Sequence, residues 1–343
     1  MKDTTKFSWS EIPYGLPDLK ADAASRYSTA SADSHDSLLR GENLLCCIKH
    51  CEELLPRRHR GQKLRFCPRH GISISTKPTY IYKDARRNLI IAREIPKRLS
   101  KAENWRLGFE SSEDAVSWNV FVSLYALNGL SEAFKALTGA TPIDSPELYL
   151  WGNRLDADLR LWGRLCDVRR ELERGMRITT EPDIILRVRG QAVVLIEAKF
   201  GSQNSTLATK KVRFGSVAGF LSRYRCKEGT ADPLDRKWIS EQKDERILEQ
   251  LCRNVIFAQW LASGHEQPFV INLITRRATN VYPQFREHLA LGGVEFYVHT
   301  WEELFGLPVV QGEHAYHLRS YMKNKTLNLS RAFDLEASPS AVD

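Results

Sequence analysis

The sequence predicts an α/β fold, a mixed β-sheet flanked by helices, preceded by a small cysteine-bearing module. Three observations carry this expectation. Two short β-branched runs, residues 184–188 and 192–196, enclose Arg189-Gly190-Gln191 and read as a hairpin. Helical patterns alternate with further apolar runs from about residue 113 to residue 305, as a sheet covered by helices requires. Cys46, Cys47, Cys51 and Cys67 crowd into one basic stretch, whereas Cys166, Cys226 and Cys252 are scattered and read as small buried hydrophobes.

The chain has 343 residues, enough to bury a sizeable core in one to three domains. Its 42 % hydrophobic and 27 % charged residues are those of a soluble globular protein. It contains no apolar run of about 18 residues and its first residues lack the apolar core of a signal peptide, so membrane partners are excluded and a cytoplasmic location is expected. The net charge is +8 and the pI about 9.1. That excess is local: residues 56–106 hold fifteen Lys or Arg against Asp84, Glu94 and Glu103. A concentrated positive field of this kind favours a polyanion, first of all nucleic acid.

In chain order, residues 1–43 are polar without periodicity and read as an arm. Residues 44–106 form a basic module in which Cys47, Cys51, Cys67 and His70 supply two pairs of soft ligands for a structural zinc ion. Cys46 competes with Cys47 for that role, and His50 and His59 are nearby alternatives. Aromatic and basic residues interleave at 79–91, so Arg65, Lys83, Arg86 and Arg87 are expected to contact nucleic acid. Residues 107–310 are expected as the main domain and 311–343 as a C-terminal tail.

Within the main domain, Val116, Val120, Leu124 and Leu127 recur at helical spacing behind Ser111 or Ser112 as cap. Glu110 and Glu113 share one face at the start of that helix. A second helix is expected over about 156–174, with Pro142, Pro146 and Gly152 marking the connection between the two. Residues 201–237 read as a long basic excursion. Thereafter come a helix over 240–263, a strand over 269–275, a helix over 283–291, a strand over 294–298 and a helical turn at 301–305.

The chemistry concentrates on the hairpin. Pro182-Asp183 opens its first strand, and Glu197-Ala198-Lys199 closes its second. Side chains two apart on a strand share a face, so Glu197 and Lys199 point the same way. Register decides whether Asp183 joins them. A two-residue turn sets Asp183 opposite Ile196; a three-residue turn, with Gly190 at positive φ, sets it opposite Glu197. The three-residue form is expected. Two carboxylates and an amine among Ile, Leu and Val suit a divalent cation with a phosphate.

Asp183 with Glu197-Ala198-Lys199 resembles the motif of the PD-(D/E)xK nuclease superfamily, and the resemblance spans about residues 110–305. It implies a restriction-endonuclease-like core and a Mg²⁺- or Mn²⁺-dependent phosphodiesterase, a deoxyribonuclease of endonuclease type. Asp183 and Glu197 would hold the metal, Glu113 (or Glu110) would supply the helix acid, and Lys199 would serve the attacking water. Gln250 or Arg253 is carried over as a supporting polar residue on the following helix. DNA is the expected partner ahead of RNA. Restriction or antiphage (antiviral) defence, with a homodimer or partner proteins of a defence system, follows from fold analogy alone. The alternative is a nucleic-acid-binding protein with a catalytically inactive nuclease-like core. A zinc-bearing transcription regulator ranks last, since no recognition helix follows the cysteines.

Overall fold

The computed structural model describes residues 44–46, 51–55, 66–74, 79–91, 105–155, 162–176, 181–278, 283–290, 293–328 and 330–335. They form two compact units, Met1–Leu127 with Phe305–Asp343, and Asn128–Leu304. The N-terminal arm, Cys47 and Arg65 lie outside the described residues.

In the first unit, strands β1 (Leu44–Leu45) and β2 (Leu54–Leu55) pair antiparallel, as do β3 (Ile72–Ile74) and β4 (Tyr80–Tyr82). Helix α1 (Glu113–Ala126) starts where Ser112 accepts a hydrogen bond from the Ala115 amide, and Glu113 and Asp114 favour the positive end of its dipole. The stripe expected on α1 is wider in the structure: Trp118, Phe121 and Val122 are buried as well as Val116, Val120 and Leu124. Asn119, also buried, ties α1 to the preceding loop by accepting from the Ile90 amide and donating to the Asn88 carbonyl.

Residues 311–343, expected as a tail, instead carry a helix, Tyr316–Asn324, and a small hairpin of Thr326–Leu327 with Ser330–Arg331. Lys325 and Thr326 are buried because Glu110 needs them. The fully buried Glu110 carboxylate accepts from Tyr82 Oη (3.0 Å) and the Thr326 amide (3.1 Å), and lies 3.9 Å from the Lys325 ammonium. Glu110 is therefore an internal tie within the first unit.

The second unit opens with α2 (Leu130–Thr138), followed by β5 (Glu147–Leu150), β6 (Asn153–Arg154) and α3 (Gly163–Leu172). Then come β7 (Ile184–Val188), β8 (Ala192–Ala198), α4 (Glu249–Leu261), β9 (Gln267–Ile274) and β10 (Glu295–Thr300). The six strands make one mixed sheet in the order β10-β9-β8-β7-β5-β6. Strands β5, β7 and β8 pair antiparallel, and β8, β9 and β10 parallel. Strands β5 and β6 occupy the stretch read as a helix connection; Trp151 and Gly152 turn between them at φ 49° and 76°. Strand β8 is buried along its whole length, as a central strand must be.

Helix α4 packs on β8 and β9 and joins Val193, Leu195, Val255, Ile256 and Val270 in one core. It begins at Glu249, later than expected, because Ile247 and Leu248 are buried ahead of it in non-helical backbone. The excursion 201–237 is also built into the unit: Leu207, Phe220 and Tyr224 are fully buried, and Phe214, Phe220 and Tyr224 pack ring against ring. Residues 283–291, expected as an α-helix, form a 3₁₀ turn at Pro283–His288. Among the described residues no helix is long and apolar enough to cross a membrane.

Candidate functional site

The β7–β8 turn has the three-residue form. Val188 pairs with Ala192 and Ile184 with Ile196, while Gly190 sits at φ +72°. The next step of that ladder sets Asp183 against Glu197, and the Ala198 amide donates to Asp183 Oδ2 at 3.0 Å. Glu266 clamps the turn. Its Oε1 accepts from Arg187 Nη2 (2.7 Å) and the Gly190 amide (3.1 Å), and its Oε2 from the Ser263 amide (2.9 Å). Burial pushes the Glu266 carboxyl up, but these hydrogen bonds outweigh it and hold the group below its ordinary value.

Glu197 and Lys199 stand on the face that α4 covers, and only 1 % and 6 % of their surfaces are exposed. The Lys199 ammonium donates to Glu197 Oε1 at 2.6 Å, and Asn254 Nδ2 donates to Oε2 at 2.8 Å. Arg253 lies 3.7 Å from Oε2 and 3.8 Å from Glu249. Burial raises the Glu197 carboxyl; the charges of Lys199 and Arg253 and the two hydrogen bonds outweigh it, so the group ionises below its usual 4.5. The Lys199 backbone is fixed too, its amide on Leu273 and its carbonyl on Trp301 Nε1.

This pocket of charge is not fully satisfied. Both oxygens of fully buried Glu249, Arg253 Nε, Asn272 Nδ2 and Asn204 Oδ1 have no hydrogen-bond partner among the described residues. Asn272 pairs with Glu197 across β8 and β9, so its orphaned nitrogen belongs to the same neighbourhood. Orphaned buried polar atoms mark a place for water, an ion or a ligand. The oxygens of Asp183 and Glu197 are the hard donors that Mg²⁺ or Mn²⁺ prefers, and a divalent cation at this hairpin is chemically compatible with them.

Gln250 accepts from the Ser205 amide at 2.8 Å and so braces the loop after β8; its neighbour one turn on, Asn254, is the residue that touches Glu197. Glu113 is in the first turn of α1, in the other compact unit. Asn254, Glu249, Asn272 and Glu266 were not singled out from sequence. The signal for Asn254 was its place four residues after Gln250 on a buried helix.

In the first unit, Cys46, Cys51, Cys67 and His70 present ligand atoms that all lie within 4.8 Å of one another. Cys46 takes the place expected for Cys47. It directly follows β1, and its amide bonds the Glu53 carbonyl at 2.8 Å. The second pair comes from the turn Cys67-Pro68-Arg69-His70, closed by the Gly71 amide on the Cys67 carbonyl (2.7 Å) with Gly71 at φ +61°. Tetrahedral zinc, with Zn–S near 2.3 Å and Zn–N near 2.0–2.1 Å, needs edges of about 3.8 Å between sulfurs and about 3.5 Å between sulfur and nitrogen. The observed edges are 3.9 Å for Cys51–Cys67, 3.5 Å for Cys67–His70 and 3.6 Å for Cys46–His70. The cluster is thus able to bind a metal such as zinc. Burial, reinforced by Cys46 and Cys67, pushes the Cys51 thiol up to about 11, so metal binding there must displace a proton.

Of the residues expected to contact nucleic acid, Lys83 is exposed and Arg87 is half-buried, donating to the His70 carbonyl. Arg86 is occupied by Asp84, its Nε and Nη2 both on that carboxylate at 2.9 and 2.6 Å. Compared with known proteins, the chain matches no family model, no curated protein and no solved structure.

Proposed function

We propose that the chain is a metal-dependent phosphodiesterase of PD-(D/E)xK type that cleaves DNA. The observation that carries this reading is the hairpin register, which sets Asp183 against Glu197 and leaves the Lys199 ammonium 2.6 Å from Glu197. The helical crossover from β8 through α4 to parallel β9 supports it, since it agrees with the continuation that the resemblance implies. Asp183 and Glu197 are the residues that would hold Mg²⁺ or Mn²⁺, which supplies charge stabilisation at the scissile phosphate and a more acidic water. Lys199 is buried and donates to Glu197 Oε1; turned toward a phosphate, it would stabilise the developing negative charge. Asn254 and Arg253 fix the other oxygen of Glu197 and keep the carboxylate ionised. The basic surface of the first unit suits the phosphate backbone.

The second reading is a nucleic-acid-binding protein with an inactive core. It draws on the same contacts, because Glu197 already has a donor on each oxygen within the protein. Linear and covalently closed DNA incubated with Mn²⁺ separate the two. The nuclease reading expects cleavage by the native chain and none by Asp183→Asn or Lys199→Ala, with binding retained. Absence of cleavage of every duplex, single-stranded and branched substrate would leave the binding reading alone.

A further inference from the structure

A cleft of about 440 Å³ opens beside the Cys/His cluster, lined by Arg69, His70, Gly71, Lys83, Asp84, Ala85 and Arg87. Three cations and one acid face it, and that acid is already neutralised: Arg86 grips Asp84 through Nε and Nη2 from outside the cleft. The cleft therefore keeps a surplus of positive charge. Its floor is rigid. The Lys83 amide bonds the Gly71 carbonyl at 2.8 Å, and Arg87 Nη1 donates to the carbonyl of His70, itself one of the four ligand-bearing residues. Gly71 itself sits at φ +61°, a left-handed backbone that favours glycine.

We infer that this cleft is a phosphate-binding site whose shape is set by the metal cluster, and that Arg69, Lys83 and Arg87 grip one phosphodiester of a nucleic acid there. Arg87 supplies a planar fork suited to phosphate while holding the His70 carbonyl, and Lys83 and Arg69 add point charge from either side. Arg86, expected from sequence to touch nucleic acid, acts at one remove by cancelling Asp84. The nucleic-acid part rests on the reading proposed above; the phosphate site does not.

The test uses the full metal-loaded chain carrying Lys199→Ala, without added divalent cation, and a fluorescein-labelled oligonucleotide read by anisotropy. Arg69→Gln with Lys83→Gln is expected to weaken binding on the order of tenfold and to reduce the salt slope by about one phosphate, uniformly across sequences. Lys323→Gln, an exposed cation elsewhere in the same unit, is the charge control and leaves both unchanged. Arg86→Gln is expected to weaken binding by freeing Asp84, and adding Asp84→Asn to restore it. An oligonucleotide with a 5′-phosphate and inorganic phosphate as competitor distinguish the sources: a backbone site responds weakly to both, a site for terminal or free phosphate strongly. That second result would overturn the phosphodiester assignment. Unchanged affinity and slope in the Arg69/Lys83 variant would overturn the site. Cys46→Ser protein, checked for metal content and circular dichroism, is expected to lose the same increment; folded metal-free protein binding at full strength would overturn the coupling. Cleavage by a chain whose binding ignores the cleft would leave the nuclease reading intact, and cleft-dependent binding without cleavage would remove only that reading.

Discussion

The two polar constellations of this protein are built on opposite principles. In the first unit, three thiols and an imidazole bring ligand atoms within 4.8 Å of one another. In the second unit, Glu197 is enclosed by donors from its own chain: Lys199, Asn254 and Arg253. One cluster could hold a metal; the other already has hydrogen-bond partners from its own chain. A metal at the cysteines would be a folding element, whereas a cation at the hairpin would compete with internal partners.

The largest expected effect follows from the first half of that comparison. Apparent binding energies of structural zinc are on the order of 10–16 kcal/mol at neutral pH, far above what two short hairpins supply. Chelation, or Cys67→Ser, should therefore abolish hydrogen-exchange protection at Ile72–Ile74 and Tyr80–Tyr82 while the strands of the second unit stay protected. Native protein that carries no zinc by elemental analysis, yet protects those strands, would break the contrast.

The next effect is smaller and internal. Removing one partner of a buried ion pair costs about 3–5 kcal/mol, because the other charge is stranded. Lys199→Met should lose an amount of this order in urea unfolding, and Glu197→Gln added to it should recover a large part. The hydrogen bonds and cations that depress Glu197 also fix a pH dependence. Its folded value lies below the ordinary 4.5, so its contribution is fully present above about that pH and is lost as pH falls through the depressed value. In the Lys199→Met/Glu197→Gln protein that acid-side loss should shrink, as urea midpoints at neutral pH and near pH 4 would reveal. If the double variant is no more stable than the single, the four charges are not one network.

Much of this was legible in the chain, and the failures share a cause. The hairpin followed from the β-branched runs flanking Arg189-Gly190-Gln191, and its three-residue register was expected because only that form brings Asp183 and Glu197 together. The cysteine cluster was legible as a cluster; Cys46 joins it in the structure, while Cys47 lies outside the described residues. Strand β5 was missed because its four residues, Glu147–Leu150, are too few for periodicity to speak. The C-terminal elements were missed because what buries Lys325 and Thr326 is Glu110, more than two hundred residues earlier. On α4 Gln250 was carried over, whereas the helix is buried nearly all round and Asn254 is the residue that donates to Glu197. In each case a long-range contact decided what local pattern left open.

Glu266 extends the comparison to the hairpin turn, where a carboxylate again meets donors from its own chain. Glu266→Gln keeps the volume but turns an amide donor toward either Arg187 and Gly190 or Ser263, all of which donate. About 1–3 kcal/mol of stability should be lost with Glu197 and Lys199 untouched. A variant as stable as the native chain would mean that the ladder alone sets the register.

The smallest effect isolates the turn itself. Gly190 sits at φ +72°, and a Cβ placed on it meets no heavy atom within 4 Å. Gly190→Ala should thus lose only the conformational term for a side chain in left-handed backbone, about 1–2 kcal/mol, with no steric addition. Because the ladder from Val188↔Ala192 to Ile184↔Ile196 is unaffected, any DNA cleavage per folded molecule should be unchanged while the thermal midpoint falls. A loss of cleavage without loss of stability would show that the turn, and not the strands, positions Asp183 against Glu197.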